Sequence, residues 1–364
     1  MKIYFISGAL PEVPCGIGDY VDALARALAR RGHEVVVLTT TSPDLRPASG
    51  YRLAPAQTTW SFREARQIAD KVRRERPDVL HVQFPGVGYG RGFGATFAPW
   101  ALRLHRHKPL LAATLHEYHL LRLRRRVPLA VAMLACDLVI APDPIVLASI
   151  QRSLRWRPGM ETAMIPVAAN VWPDANGSPT GEAAKGHELT IGYWGFLRPD
   201  KGVDLLLEAF ARIRETRPAQ LVLAGDPGPD ATYITSLKRH ADDLGVSASI
   251  RTTGKLSAEG LSAELLSFDA CVLPFRDGLS QNRGTYAGAV AHGLYVVTTG
   301  LNRHGYEPET NTSFVPPNDR GALISAILDA PGHPRRQSSV AAEDAWNEIA
   351  DFHLAAYQKA RGRP

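Results

Sequence analysis

The sequence predicts an α/β protein made of two doubly wound domains, each a parallel sheet covered by helices. Three observations carry this. Short apolar runs alternate with helical periodicity through the first 170 residues, the alternation lapses over 171–188, and it then resumes. The chain has 364 residues, which suits two domains at roughly 100–200 residues each. The strands are spaced by helix-length segments, as parallel pairing requires.

Ile3–Ser7 reads as the first buried strand and is followed by the Gly/Pro-rich turn GALPEVPCGIG. Val21, Leu24, Ala25 and Leu28 then recur at i, i+3, i+4 and i+7, a core-facing helix that Gly32 ends. Further strands are expected at Glu34–Thr39, Val79–Val82, Leu110–Leu115 and Asp137–Ala141, with helical segments between them. Residues 171–188 are rich in Pro, Gly, Ala and polar residues and read as a linker between domains 1–170 and 189–340. In the second half, strands are expected at Leu189–Trp194, Gln220–Ala224, Ser249–Thr252, Ala270–Leu273 and Leu294–Thr298. Helices are expected near 203–216, 231–244, 258–267 and 284–292. The tail, 341–364, reads as a helix with Trp346, Ile349, Phe352 and Tyr357 on one face.

Composition narrows the function classes. Apolar residues make up 45% and charged residues 21%, an ordinary balance for a globular protein. The three cysteines, Cys15, Cys136 and Cys271, have no CxxC spacing, so a disulfide framework and a zinc site lack support, and a reducing cytoplasm is expected. The start of the chain does not read as a signal peptide, and no apolar stretch reaches the ~18 residues of a membrane span. The net charge of +6 divides into +9 for residues 1–175 and −3 for the rest. A basic first half fits an anionic substrate or an anionic membrane surface. No aromatic-interleaved basic motif suggests nucleic acid. The dense run Arg122, Arg124, Arg125 and Arg126 lies beside apolar residues; it reads either as a peripheral contact with an anionic membrane or as a solvated face.

The segment IGYWGFLRPDKGVDLLLEAF (191–210) is the most informative. Arg198 and Lys201 fall on a short turn between a strand and a helix, where backbone N–H groups and the helix dipole favour an anion. A diphosphate fits that turn; a merely solvated turn shares its composition. A second anion nest is expected at DGLSQNRGT, where Asp277, Ser280, Arg283, Gly284 and Thr285 precede a small-residue helix. His116 ends the strand LLAATL, where a side chain can face a ligand, donate a hydrogen bond or carry a proton. The first turn, Cys15-Gly16-Ile17-Gly18, lacks the GxGxxG spacing of a dinucleotide dehydrogenase.

Taken in order, these pieces resemble the retaining nucleotide-sugar glycosyltransferases of family 4, which have the GT-B fold. PCGIGDYVDALARALARRGHEVVVLT resembles the family's glycine loop, first helix and second strand; HVQFP and LHEYH resemble its strand ends. IPVAAN resembles its segment before the linker, and GFLRPDKGVDLLLEAF its "GRLxxxKGxxxLLxAF". The resemblance implies two Rossmann-like domains facing a central cleft, with the terminal helix crossing back to the first. It further implies a nucleoside-diphosphate sugar donor, Gly16 at the donor phosphates, His116 at the transferred sugar and Lys201 at the phosphates. Phe196 stands where the family arginine is usual, and Arg198 lies two residues later. The family's two glutamates are not reproduced. Aligned on Gly293, the second falls on Gly288 and the first on Ser280; aligned on DGLS, the first falls on Asp277.

The expected reaction is sugar transfer with retention to an acceptor the sequence does not identify, with no cofactor and no metal. Fixed cations would stabilise charge on the leaving diphosphate, and that diphosphate would take the acceptor's proton. Two alternatives remain at this point: an epimerase or coupling enzyme on the same scaffold, and a nucleotide-sugar-binding partner without turnover.

Overall fold

The computed structural model describes residues 1–11, 15–41, 50–85, 87–90, 92–103, 105–154, 160–173, 188–228, 230–280, 283–336 and 342–362. Of the expected linker, 174–187 therefore lie outside the described residues. The chain divides into two compact units, one of residues 1–168 with 343–364 and one of residues 169–342.

In the first unit β1 (Lys2–Ile6) leads to α1 (Gly16–Arg30), β2 (Glu34–Thr40), β3 (Arg52–Gln57) and α2 (Phe62–Glu75). Then come β4 (Val79–Phe84), α3 (Gly94–Arg103), β5 (Leu110–Leu115), α4 (Leu123–Ala135), β6 (Leu138–Ala141), α5 (Pro144–Ser153) and β7 (Glu161–Met164). The sheet order is β3-β2-β1-β4-β5-β6-β7, parallel throughout. Its central strands are buried on both faces, which is why VLHVQF and LLAATL read as continuous runs rather than alternating ones. Two apolar layers sandwich the sheet: α2 to α5 supply one through Ile68, Ala98, Ala132 and Val146, and α1 supplies the other through Val21, Leu24 and Leu28.

The second unit repeats the plan. It runs β8 (Leu189–Trp194), α6 (Val203–Arg214), β9 (Ala219–Ala224), α7 (Ala231–Asp243), β10 (Ile250–Gly254), α8 (Ala258–Leu265), β11 (Ala270–Leu273) and α9 (Gly284–Ala291). β12 (Val296–Thr299), β13 (Gly305–Glu307), β14 (Thr312–Val315) and α10 (Arg320–Leu328) complete it. The order is β10-β9-β8-β11-β12-β14-β13, with only β13 antiparallel among these strands. Each sheet thus reverses its winding once, between β1 and β4 and between β8 and β11. Ligands of open α/β sheets bind outside the strand ends at such a switch point.

The last helix, α11 (Ala342–Arg361), packs on the first unit beside α1, burying Trp346, Ile349, Ala350 and Tyr357. Phe352, expected on the same face, is instead exposed; at ~100° per residue it falls well round the helix from that stripe. The buried polar position is His353, with no exposed surface. Its Nδ1 faces the Ile349 carbonyl at 2.8 Å, and its Nε2 faces the Tyr20 hydroxyl of α1 at 3.0 Å. His81 of β4 contacts the Tyr357 hydroxyl through Nδ1 at 2.6 Å and Thr114 Oγ1 through Nε2 at 2.8 Å. Hydrogen bonding therefore ties the C-terminal helix to the first unit through groups buried beneath it.

Candidate functional site

The turn after β8 is shaped by its neighbours. Gly195 leaves the strand with φ +125°, Arg198 is extended, and Pro199–Lys201 form a single 3₁₀ turn. Gly202 opens α6 with φ +68°, and a β-carbon there would lie 2.1 Å from the Pro274 carbonyl oxygen. Only glycine fits that conformation and that approach. The turn is thereby pressed against the loop that leaves β11, and the Arg276 N–H donates to the Asp200 carbonyl at 3.1 Å. The two loops flank the switch point of the second sheet.

Their side chains converge on one carboxylate. Arg198 Nε donates to Asp200 Oδ1 at 2.9 Å. Lys201 Nζ lies 3.6 Å and Arg283 Nη1 3.5 Å from Asp200 Oδ2. The Phe275 ring supports two of these cations, with Lys201 Nζ 5.1 Å and Arg283 Cζ 4.7 Å from its centroid. Lys201 and Arg283 side chains are 14% and 10% exposed, whereas Arg198 is 45% exposed. Burial would raise the Asp200 pKa, but Lys201, Arg198 and Arg283 outweigh it and hold the carboxyl below its ordinary value. Three cations around one carboxylate leave a formal +2, the charge that balances a diphosphate diester. Arg283 Nε is buried with no hydrogen-bond partner among the described residues, a donor free for a ligand.

Sequence reasoning found Arg198, Lys201 and Arg283 as members of two separate turns; the structure brings them together. It missed Asp200 and Phe275, which organise them. The other residues of the second turn fall around α9. Arg283 is its N-cap residue, and its N–H donates to the Ser280 carbonyl at 3.2 Å. Gly284 and Thr285 form the first turn of the helix, and the Trp194 indole donates to the Thr285 carbonyl at 3.0 Å. Asp277 is exposed and makes no hydrogen bond or ion pair with the described residues. A side chain at position 288 would force its neighbour to shift, since a β-carbon there would approach Trp194 Cζ2 to 2.7 Å. The indole of β8 thus takes the space that an acidic residue at this helical position would need.

In the first unit, His116 sits at the end of β5, 6% exposed, with its N–H donating to the Phe84 carbonyl at 2.8 Å. Its Nε2 meets Gln83 Oε1 at 3.0 Å, and its ring stands edge-on to Tyr20 with centroids 4.9 Å apart. An amide oxygen accepts, so Nε2 carries the proton. Burial, with a smaller contribution from His353, pushes the His116 pKa down to about 3. Burial thus opposes the proton-carrying role expected near neutrality and favours a neutral imidazole held by its hydrogen bonds. Gln83 is fully buried, and its Nε2 has no partner among the described residues. Gly16 is the exposed first residue of α1 with open space around it, whereas Gly18 presses against the Leu10 backbone, 2.8 Å from a would-be β-carbon. Among the described residues no three His, Cys, Asp or Glu side chains cluster as a metal site. No helix among them is long and apolar enough to cross a membrane.

Comparison with known proteins agrees with this geometry. Residues 14–163 match the family model described as Glycosyltransferase Family 4, and residues 188–330 match that described as Glycosyl transferases group 1. The chain is 27% identical over 422 aligned positions to the glycogen synthase of Mycobacterium tuberculosis, covering 99% of this chain and 95% of that protein. It is 32% identical over 154 positions to a GDP-mannose-dependent alpha-(1-6)-phosphatidylinositol monomannoside mannosyltransferase of Mycolicibacterium smegmatis, covering 40% and 39% of the two chains. The structure of Anabaena HepE in complex with UDP and glucose superposes with a TM-score of 0.67 at 17% identity, covering 99% and 95%. That likeness establishes the fold as two Rossmann-like units of the GT-B kind. The two family models together span most of the sequence, and the chain belongs to the family-4 glycosyltransferases.

Proposed function

We propose that this glycosyltransferase takes its sugar from a nucleoside-diphosphate sugar and binds the diphosphate at Lys201, Arg283 and Arg198. The observation that carries this reading is the +2 cluster around Asp200, half of it buried, beside the N-terminus of α9. Supporting donor contacts are assigned to the backbone at Gly284 and Thr285 and to Ser280; Asp277 and Gly16, both exposed, are peripheral to this reading.

As the glycosidic bond breaks, negative charge accumulates on the departing diphosphate. Cations held in place before the reaction stabilise that charge without reorganising, commonly the largest catalytic contribution. Asp200 keeps the three cations together before donor binds, and the diphosphate then shares them. His116, neutral and fixed by Gln83 through its Nε2–H, can meet a donor sugar hydroxyl only as an acceptor, through Nδ1. A phosphate oxygen of the leaving group takes the acceptor's proton, so the acceptor adds on the face the diphosphate leaves and configuration is retained. This scheme calls for no metal ion, because the cations already balance the diphosphate. Cys15, Cys136 and Cys271 are all buried thiols, in keeping with a cytoplasmic setting.

The test is release of free nucleoside diphosphate from candidate donors with and without acceptor, after a thermal-shift screen of UDP, GDP, ADP and TDP. Diphosphate release that depends on acceptor supports the reading. A second reading, nucleotide-sugar binding without turnover, is favoured by the missing acid at Gly288; binding with no release on any acceptor would select it.

A further inference from the structure

Among the described residues, five of the nine large exposed apolar side chains lie at the starts of four helices of the first unit, while Trp100, Met164, Leu301 and Phe352 lie elsewhere. Phe62 is the first residue of α2, Phe93 immediately precedes α3, Leu123 is the first residue of α4 with Val127 one turn on, and Ile145 is the second residue of α5. They are 61%, 45%, 75%, 54% and 51% exposed. The four helices follow β3, β4, β5 and β6, which are parallel, and pack on one face of the sheet. Their N-terminal ends therefore share one edge of the first unit, and each presents a large apolar residue there. Phe97 links two of them, with ring centroids 4.8 Å from Phe62 and 6.4 Å from Phe93. Exposed apolar residues occurring singly need no explanation; a row of them along one edge marks an interaction surface.

The exposed charges at these helix starts are arginines. Arg63, Arg66, Arg122, Arg124 and Arg125 are exposed. Of the carboxylates nearby, Glu117 beside His116 is half-buried, and the other two are turned inward. Glu64 is buried and accepts from the N–H groups of Thr58, Thr59 and Ser61. Asp143 is buried and caps α5 at the Val146 N–H. Arg126, grouped with its neighbours on sequence, is structural instead: its guanidinium donates to the Tyr118 carbonyl at 3.3 Å and to Ser149 Oγ at 2.5 Å. That contact joins α4 to α5 and leaves the other three arginines of the run outward.

We propose that this edge docks on an anionic lipid bilayer. Phe62, Phe93, Leu123, Val127 and Ile145 enter the headgroup–acyl boundary, and the five exposed arginines pair with lipid phosphates. Apolar insertion combined with attraction to anionic lipid is how interfacial proteins bind reversibly. An acidic protein surface would satisfy the arginines but not a row of inserted apolar side chains at several helix ends. His116 ends β5 on this same edge, so docking holds it at the level of the headgroups. The docking does not depend on the sugar-transfer reading, because binding is measured without donor or turnover and the two ideas fail separately.

The test is co-sedimentation of the full chain with vesicles of phosphatidylglycerol and phosphatidylcholine, against phosphatidylcholine alone. Binding is expected to the anionic vesicles only, weakened by salt. Replacing Arg122, Arg124 and Arg125 together by Gln is expected to reduce partitioning roughly hundredfold. The Leu123→Ser/Val127→Ser variant, with the arginines intact, is expected to reduce it at least tenfold. Unchanged circular dichroism melts would show that these surface changes leave the fold alone. No sedimentation with anionic vesicles overturns the proposal, as does equal binding by the Leu123→Ser/Val127→Ser variant, which would leave charge attraction without insertion.

Discussion

The two units share a sheet plan and differ in the buried polar clusters nearest their candidate sites. In the first, His81, His116 and His353 are buried among tyrosines and other uncharged partners, and burial drives all three toward the neutral form. In the second, Asp200 is partly buried yet held ionised, because Lys201, Arg198 and Arg283 surround it. Burial without an opposing charge removes charge, whereas burial within a cluster preserves it. The neutral side can position hydroxyl groups, and the charged side can stabilise a leaving anion.

Removing charge from the second unit should have the largest effect. Lys201→Ala is expected to lower turnover on the order of 10²-fold or more, with Arg283→Ala close behind. Steady-state kinetics on the identified donor measure this, and unchanged turnover in both variants would break the contrast between the units.

The neutral histidines of the first unit predict an acid-sensitive fold. His353 is pushed down to about 4 and His116 to about 3 by burial, while unfolded histidines titrate near ~6.5. Between those values the unfolded chain binds more protons, so stability is complete above ~6.5 and is lost as pH falls toward 4. His353 alone contributes on the order of 3 kcal/mol across that interval. Thermal melts from pH 7 to pH 4.5 should show a steep decline that His353→Gln flattens; a flat wild-type profile would contradict the assignment of a neutral network beneath α11.

Gly288→Ala sharpens the comparison at the level of packing. The new methyl would meet the Trp194 indole, and overpacking of this kind costs about 1–3 kcal/mol. A lowered melting temperature is expected, largely restored by Trp194→Leu in the same chain. The smallest effect is expected from Arg198→Ala, because Arg198 is the most exposed of the three cations and solvent weakens its contribution to roughly tenfold or less in donor KM.

Much of the fold was legible because buried parallel strands write themselves as apolar runs. Leu110–Leu115, Leu189–Trp194 and Ala270–Leu273 match their strands residue for residue. The strands that escaped notice lack such runs: β3 contains Pro55, β7 is ETAM, β13 is the three residues GYE, and β14 is the short segment TSFV. The helix α10 was missed because its segment, RGALISAIL, is short and apolar on most sides. Within the site, Arg198, Lys201 and Arg283 were legible through residue type and their position after strands. Their shared carboxylate was not, because nothing local says that residues 200 and 283 meet. The same holds for Trp194 filling the space beside Gly288 and for His81 meeting Tyr357, contacts made by chain segments remote in sequence.

Calorimetric titration with nucleoside diphosphates, comparing the wild-type chain with Lys201→Ala and Arg283→Ala, is the most direct test of the cation cluster. At least one diphosphate should bind, its monophosphate more weakly, and each variant should lose tenfold or more in affinity. Binding that is equally strong in all three proteins, or equally strong for mono- and diphosphate, would show that the cluster around Asp200 does not hold the leaving group.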